Sequence, residues 1–203
     1  MQYAHAEPSA GAVHIEETTT GLNHRKVLMW TFLASECLFF GSLISTYLAY
    51  RNKSLEGPTP ATGLFDIPFT SVSTFVLLIS SLAMVLGLAA LQRDDRVGAM
   101  IWLTATGLLG TLFLGGQYFE FTTFYREGVW IGTNLFGTTF FVLTGFHGTH
   151  VSIGVLWLLS LWVQVWRGQL TQHQSLSLEI AGLYWHFVDI VWIVIFTVVY
   201  LIN

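Results

Sequence analysis

Cysteine is nearly absent from this chain. The single residue, Cys37, stands inside an apolar run, so neither a disulfide framework nor a cysteine-based metal site is available. Charge is scarce as well: Asp, Glu, Lys and Arg make up 10% of the 203 residues, against roughly a quarter in soluble domains. Eight basic and 12 acidic side chains leave a formal net charge of -4, with no basic surplus to attract nucleic acid. The first 26 residues lack the apolar core and small-residue cleavage site of a secretory signal, and read as a polar tail, residues 1–26. What the chain has in excess is hydrocarbon. Hydrophobic residues are 53% of the total and mean hydropathy is +0.61, a balance that belongs in a membrane.

From Val27 to the end, residues 27–203 break into five apolar segments, approximately 27–50, 69–91, 98–120, 134–166 and 177–202. Each is long enough to cross about 30 Å of hydrocarbon, which takes roughly 20 helical residues; the fourth has length to spare and must tilt or project. Gly57, Pro58, Pro60 and Gly63 punctuate the first gap, and Arg93-Asp94-Asp95-Arg96 the second. A lipid-exposed backbone must satisfy its own hydrogen bonds, and unbroken apolar runs of this length do not fit barrel strands. The expected fold is an all-α membrane bundle of five transmembrane helices. With the N-terminus cytoplasmic, Arg25, Lys26, Arg93, Arg96 and Arg167 lie inside against Arg51, Lys53 and Arg126 outside, the orientation the positive-inside rule favours. No internal repeat marks an inverted-repeat transporter.

Ionisable residues within spans are the informative ones, because each costs several kcal/mol unless paired, protonated or facing a cavity. Glu36 lies about nine residues into the first span, roughly 14 Å along it. His147 and His150 share one face of the fourth span at i and i+3, as do His186 and Asp189 in the fifth, with Glu179 nearer its start. In the structural reading these are interhelical hydrogen bonds: Asp189 orients His186, and Glu36 is neutral or bonded to a histidine of a neighbouring helix. In the functional reading they line a proton route, bind a lipid head group or hold a metal. Spacing alone leaves both open. Metal is the weaker version, since di-metal bundles draw a carboxylate and a histidine together as Glu-x-x-His, and three intramembrane histidines are too few for two haems. Small residues repeat every four positions at Thr144, Gly148 and Ser152, at Gly41 and Ser45, and at Ala83 and Gly87, marking close contacts within the chain or against a partner. Trp30, Trp130 and Trp166 near span ends fit interfacial belts.

Gly145-Phe146-His147-Gly148-Thr149-His150-Val151, followed by Trp185-His186-Phe187-Val188-Asp189-Ile190-Val191-Trp192, resembles subunit III of the haem-copper terminal oxidases. Ser35-Glu36 before an apolar run resembles that family's buried carboxylate segment, Gln117 with Glu120 its Gln-x-x-Glu pattern, and Glu179 falls where it places a glutamate. The resemblance covers about residues 25–202. It departs from the longer, seven-span form by lacking the first two spans, and so resembles the five-span bacterial form.

That resemblance implies a non-catalytic integral subunit of a proton-translocating oxidase in a bacterial plasma membrane, with no cofactor of its own. Subunits I and II would be its partners and hold the haems and copper, joined by a small subunit IV in complexes that have one. Phospholipid would occupy a cleft between helix groups. By the same resemblance Glu36 matches a carbodiimide-reactive glutamate supporting proton uptake, and His147, His150, Glu179 and His186 match polar positions lining or bracing the cleft. Arg167 stands slightly beyond the family's basic residue for lipid phosphate. Cytochrome c is the favoured donor, while Phe196-Thr197-Val198-Val199-Tyr200-Leu201 also resembles quinol oxidases. A small proton-coupled transporter using Glu36, His147, His150 and Asp189 is the alternative from another class.

Overall fold

A computed structural model describes residues 23–51, 53 and 65–202; most of the polar tail and of the first gap, with its glycines and prolines, lies outside them. The described residues form five long helices, α1 (His24–Tyr50), α2 (Ile67–Gln92), α3 (Arg96–Arg126), α4 (Leu135–Trp166) and α5 (Leu176–Phe196). All five are long and apolar enough to cross a membrane, and no strand is assigned among the described residues. Three boundaries shift from expectation, one of them the end of α5, which closes at Phe196 and continues as a wider-wound π-helical turn, Thr197–Leu201. The first helix begins at His24, so its polar first turn was assigned to the tail, and α3 continues six residues past 120 to Arg126. In both places polar side chains hid a helix whose backbone runs on beyond the apolar stretch.

Side-chain caps satisfy the free amides at four starts. Asn23 accepts from Arg25 N, Asp66 from Phe69 N, Asp95 from Gly98 N and Asn134 from Gly137 N. Three helices end in the same turn. After α3, Gly128 N donates to Tyr125 O and Val129 N to Phe124 O; after α4, Gly168 and Gln169 repeat the pattern on Val165 and Gln164; after α2, Asp94 and Asp95 repeat it on Leu91 and Ala90. That turn needs one left-handed residue, and Gly128 (φ 83°), Gly168 (φ 74°) and Asp94 (φ 61°) supply it.

Helices α2 to α5 form the body, with α2 against α3 and α5, and α4 against α3 and α5; α1 packs chiefly on α4 and α5. The starts of α1, α3 and α5 share one end, called here the N-side, with Arg25, Lys26, Arg93, Arg96 and Arg167. Outward surfaces are apolar, as at Leu38, Val72, Leu108 and Leu156, which suits lipid and would be an aggregation hazard in water. Lipid is as apolar as leucine, so close packing and interhelical hydrogen bonds must hold the bundle. Near the opposite end an aromatic cluster fills the core, with Phe65 and Tyr200 centroids 4.7 Å apart and Phe124 and Phe140 5.1 Å apart. In the middle the Trp185 ring crosses the α3 and α4 backbones at Gly110 and Gly154, where an added Cβ would meet it at 2.6 and 2.9 Å. The Ala83/Gly87 and Thr144/Gly148 ridges lie in contacts of this kind, whereas Gly41 has nothing within 4 Å of a built Cβ and Ser45 is exposed.

Candidate functional site

Glu36, midway along α1, meets His150, midway along α4. Oε2 of the carboxyl lies 3.2 Å from Nε2 of the ring, with the side chains 17% and 14% exposed. On the ring's other side Nδ1 lies 2.8 Å from Phe146 O. A carbonyl only accepts, so Nδ1 carries a hydrogen, and Nε2 is an acceptor in the neutral ring. The pair therefore shares one proton, as carboxylic acid with imidazole or as carboxylate with imidazolium. Phe40 packs edge-on to the ring at 5.0 Å, and the Tyr184 hydroxyl donates to His150 O at 3.0 Å. Glu36 is thus bonded to a histidine of a neighbouring helix, one of the two states expected for it.

Closer to the N-side a groove of about 570 Å³ opens between the start of α1, the end of α4 and the start of α5. Its walls are apolar, with Met29, Phe32, Trp157 and Leu161, and Arg25, Gln164 and Ser177 bring polar groups to it. Phe32 also stacks at 6.4 Å on Tyr184, whose hydroxyl reaches His150 O. Nearby, Lys26 and Glu179 form an ion pair of 2.6 Å joining α1 to α5. An apolar trough with a cationic, hydrogen-bonding end has the chemistry of a phospholipid.

The remaining residues do not gather around that groove. His147 is fully buried, stacked on Trp192 at 4.8 Å and edge-on to Phe113 at 5.8 Å, and neither ring nitrogen has a hydrogen-bond partner. The expected bond between Asp189 and His186 is not made. Positions i and i+3 are about 60° apart around a helix; Asp189 falls in the buried seam and His186 at its edge, where Nδ1 lies 2.5 Å from Ser81 Oγ on α2. Arg167 caps α4 from an exposed position and is not among the groove's lining residues; Arg25 is the basic residue there.

A line of hydrogen bonds joins α5 to the antiparallel α2 beside these histidines. Trp185 Nε1 donates to Ser80 Oγ at 3.0 Å and Trp192 Nε1 to Thr74 Oγ1 at 2.9 Å. Further from the N-side, the Glu120 carboxyl accepts from Thr70 Oγ1 at 3.2 Å and Tyr200 OH at 3.0 Å, and Gln117 Nε2 donates to Thr144 O at 2.6 Å. Arg51 ties the end of α1 to that of α5 by donating to Ile202 O at 2.5 Å. Sequence reasoning gave no site role to Arg25, Gln164, Ser177, Tyr184, Thr70 and Tyr200. Arg25 carried a signal, as a basic residue beside a span, while lone hydroxyls in apolar helices are mostly bonded to their own backbone. Among the described residues no three His, Cys, Asp or Glu side chains converge to hold a metal.

Comparison with known proteins gives a consistent result. The family model for cytochrome c oxidase subunit III matches residues 4–203. Quinol oxidase subunit 3 of Bacillus spizizenii is 37% identical over 204 residues, spanning 100% of this chain and 98% of its own length. Cytochrome c oxidase subunit 3 of Bacillus sp. strain PS3 is 40% identical over 86% of this chain and 84% of its own. Cytochrome bo(3) ubiquinol oxidase subunit 3 of Pseudomonas aeruginosa is 38% identical over 86% and 83%.

Proposed function

The chain belongs to the cytochrome c oxidase subunit III family, and from that premise we propose that it serves a proton-translocating oxidase that takes electrons from cytochrome c. It is a multi-pass bacterial membrane protein and subunit III of a haem-copper terminal oxidase, an oxidoreductase complex whose other subunits it must meet. In the proposal, subunits I and II are those partners and carry the haems and copper, with a small subunit IV where the complex has one. The described His, Cys, Asp and Glu side chains do not fit a redox metal: His147 is enclosed by aromatic rings, His150 is taken by Glu36 and His186 lies on Ser81. This chain's part is supportive.

The observation that carries the supporting role is the Glu36–His150 pair, one proton held between two helices at mid-span and near a lipid-sized groove. The pair serves proton uptake, and the groove takes a phospholipid with its phosphate toward Arg25. The N-side faces the cytoplasm, because five of the eight basic residues lie there. A quinol donor is the second reading, favoured by the name of a relative that spans the entire chain. Tagging the chain, extracting the complex gently and recording its reduced-minus-oxidised spectrum with oxygen uptake separates the two. Haem bands with uptake on reduced cytochrome c support the proposal, and uptake on quinol alone replaces it with the second reading. A colourless preparation that binds no partner refutes the assignment.

A further inference from the structure

The Gln117/Glu120 pattern has no part in the Glu36 site or the lipid groove, yet both residues are more than nine-tenths buried, at 7% and 8% exposure. Placed at i and i+3 on α3, about 60° apart around it, Gln117 reaches Thr144 of α4 and Glu120 reaches Thr70 of α2 and Tyr200. Between α2, α3 and α5 lies a small, partly open space of about 10 Å³, with Thr70, Ser73, Gln117 and Glu120 on its polar side and Phe69, Phe113 and Trp192 on its apolar side. One water requires ~10–15 Å³ and two to four polar partners. The space has about the volume of one water.

A count of donors shows what is missing. The Gln117 amide nitrogen is committed to Thr144 O at 2.6 Å, which fixes the orientation of the amide, because the flipped group would set oxygen against oxygen. Its Oε1 is then buried without a donor. Nearby hydroxyls are occupied: the one Thr70 hydroxyl hydrogen is shared between Asp66 O and Glu120 Oε1, at 3.1 and 3.2 Å, and Tyr200 donates to Glu120 Oε2. A buried acceptor left bare costs the desolvation of that group; Gln117 lines the space, and a water there within reach of Oε1 removes the deficit.

We propose that this cavity binds one ordered water, which donates to Gln117 Oε1 and is held by the Ser73 hydroxyl and Glu120. The water completes a chain from Tyr200 through Glu120 to Gln117 and the Thr144 carbonyl, linking the turn that continues α5 with α3 and α4, and α2 is joined through Thr70 and Ser73. The Gln-x-x-Glu spacing then has a physical purpose, since both partners of one water must project from the same helix face. Phe113 and Trp192 separate the site from His147.

The test is a high-resolution electron-microscopy map of the intact oxidase complex, wild type and Ser73→Val. The wild-type map is expected to show one peak within hydrogen-bonding distance of Gln117 Oε1 and of Ser73 or Glu120. In Ser73→Val, which fills the space and removes a partner, the peak is lost while the Trp192–Thr74 bond stays. An empty wild-type cavity in a map that resolves other buried waters overturns the proposal, as does a peak unchanged in the variant. If Ser73→Val does not assemble, the wild-type map decides alone.

Discussion

Replacing Glu36 by Gln and by Ala separates the proton of the Glu36–His150 pair from its hydrogen bond. Because His150 Nδ1 is committed to the Phe146 carbonyl, the neutral ring offers Nε2 as an acceptor. In Glu36→Gln an amide N–H still reaches Nε2 across a contact of 3.2 Å in the wild type, so the helices stay joined while the acidic proton is gone. In Glu36→Ala the acceptor, on a side chain only 14% exposed, is left bare. Interhelical hydrogen bonds in membranes average about 0.6 kcal/mol with a maximum near 1.7, and leaving a buried acceptor unsatisfied costs about 1–3. Glu36→Ala should therefore lose about 1–2 kcal/mol and Glu36→Gln less than about 0.5. Thermal denaturation of the intact complex, read by release of this chain, measures the difference. Labelling by a hydrophobic carbodiimide, located by mass spectrometry, reads the carboxyl itself, and is expected in the wild type and lost in Glu36→Gln. Equal destabilisation by Gln and Ala would refute the tautomer argument, and label retained at position 36 of the Gln variant would show that another group reacts.

Two further predictions concern the body of the bundle. Thr74→Val keeps its shape but leaves the Trp192 indole N–H buried and unpaired, a loss of about 1–3 kcal/mol; combined with Trp192→Phe in a double-mutant cycle on thermal stability, the two changes should couple, and additive effects would deny the bond. Gly110→Ala and Gly154→Ala push a Cβ into the Trp185 ring and should cost about 1–3 kcal/mol by overpacking. Gly107→Ala and Gly115→Ala, with nothing within 4 Å, should be neutral or gain up to about 1 kcal/mol from helix propensity. Equal melting temperatures for all four would show that the Trp185 crossing does not constrain the backbone.

The number of helices was readable before any coordinate because bilayer thickness sets a length that no other environment demands. The ends were less readable. His24-Arg25-Lys26 is polar and the stretch after Glu120 mixes Phe121, Phe124 and Tyr125 with Thr122, Thr123 and Arg126, and such a mixture near a span end marks an interface without saying whether the helix stops there. Among polar residues, the Glu36 contact with a histidine of another helix was one of two states that the cost of a lone carboxyl at that depth allowed. The partner of His186 did not: sequence spacing suggested Asp189 on its own helix, and the structure supplies Ser81 from α2. The small-residue ridges divide in the same way, Gly87 and Gly148 lying in contacts while Gly41 is open.

Apolar length, scarce charge and the histidine and tryptophan motifs of α4 and α5 are properties of local chain, and they determine that this protein spans a membrane five times and to which family it belongs. Which helices touch is a different kind of fact. Helices surrounded by lipid gain little from burying one apolar face rather than another, so their order around the bundle is set by glycine gaps and single hydrogen bonds between residues distant in sequence. The 114 positions between Glu36 and His150, the 118 between Thr74 and Trp192 and the 80 between Glu120 and Tyr200 carry no pattern that a periodicity can register. Only the packed bundle brings those groups within reach.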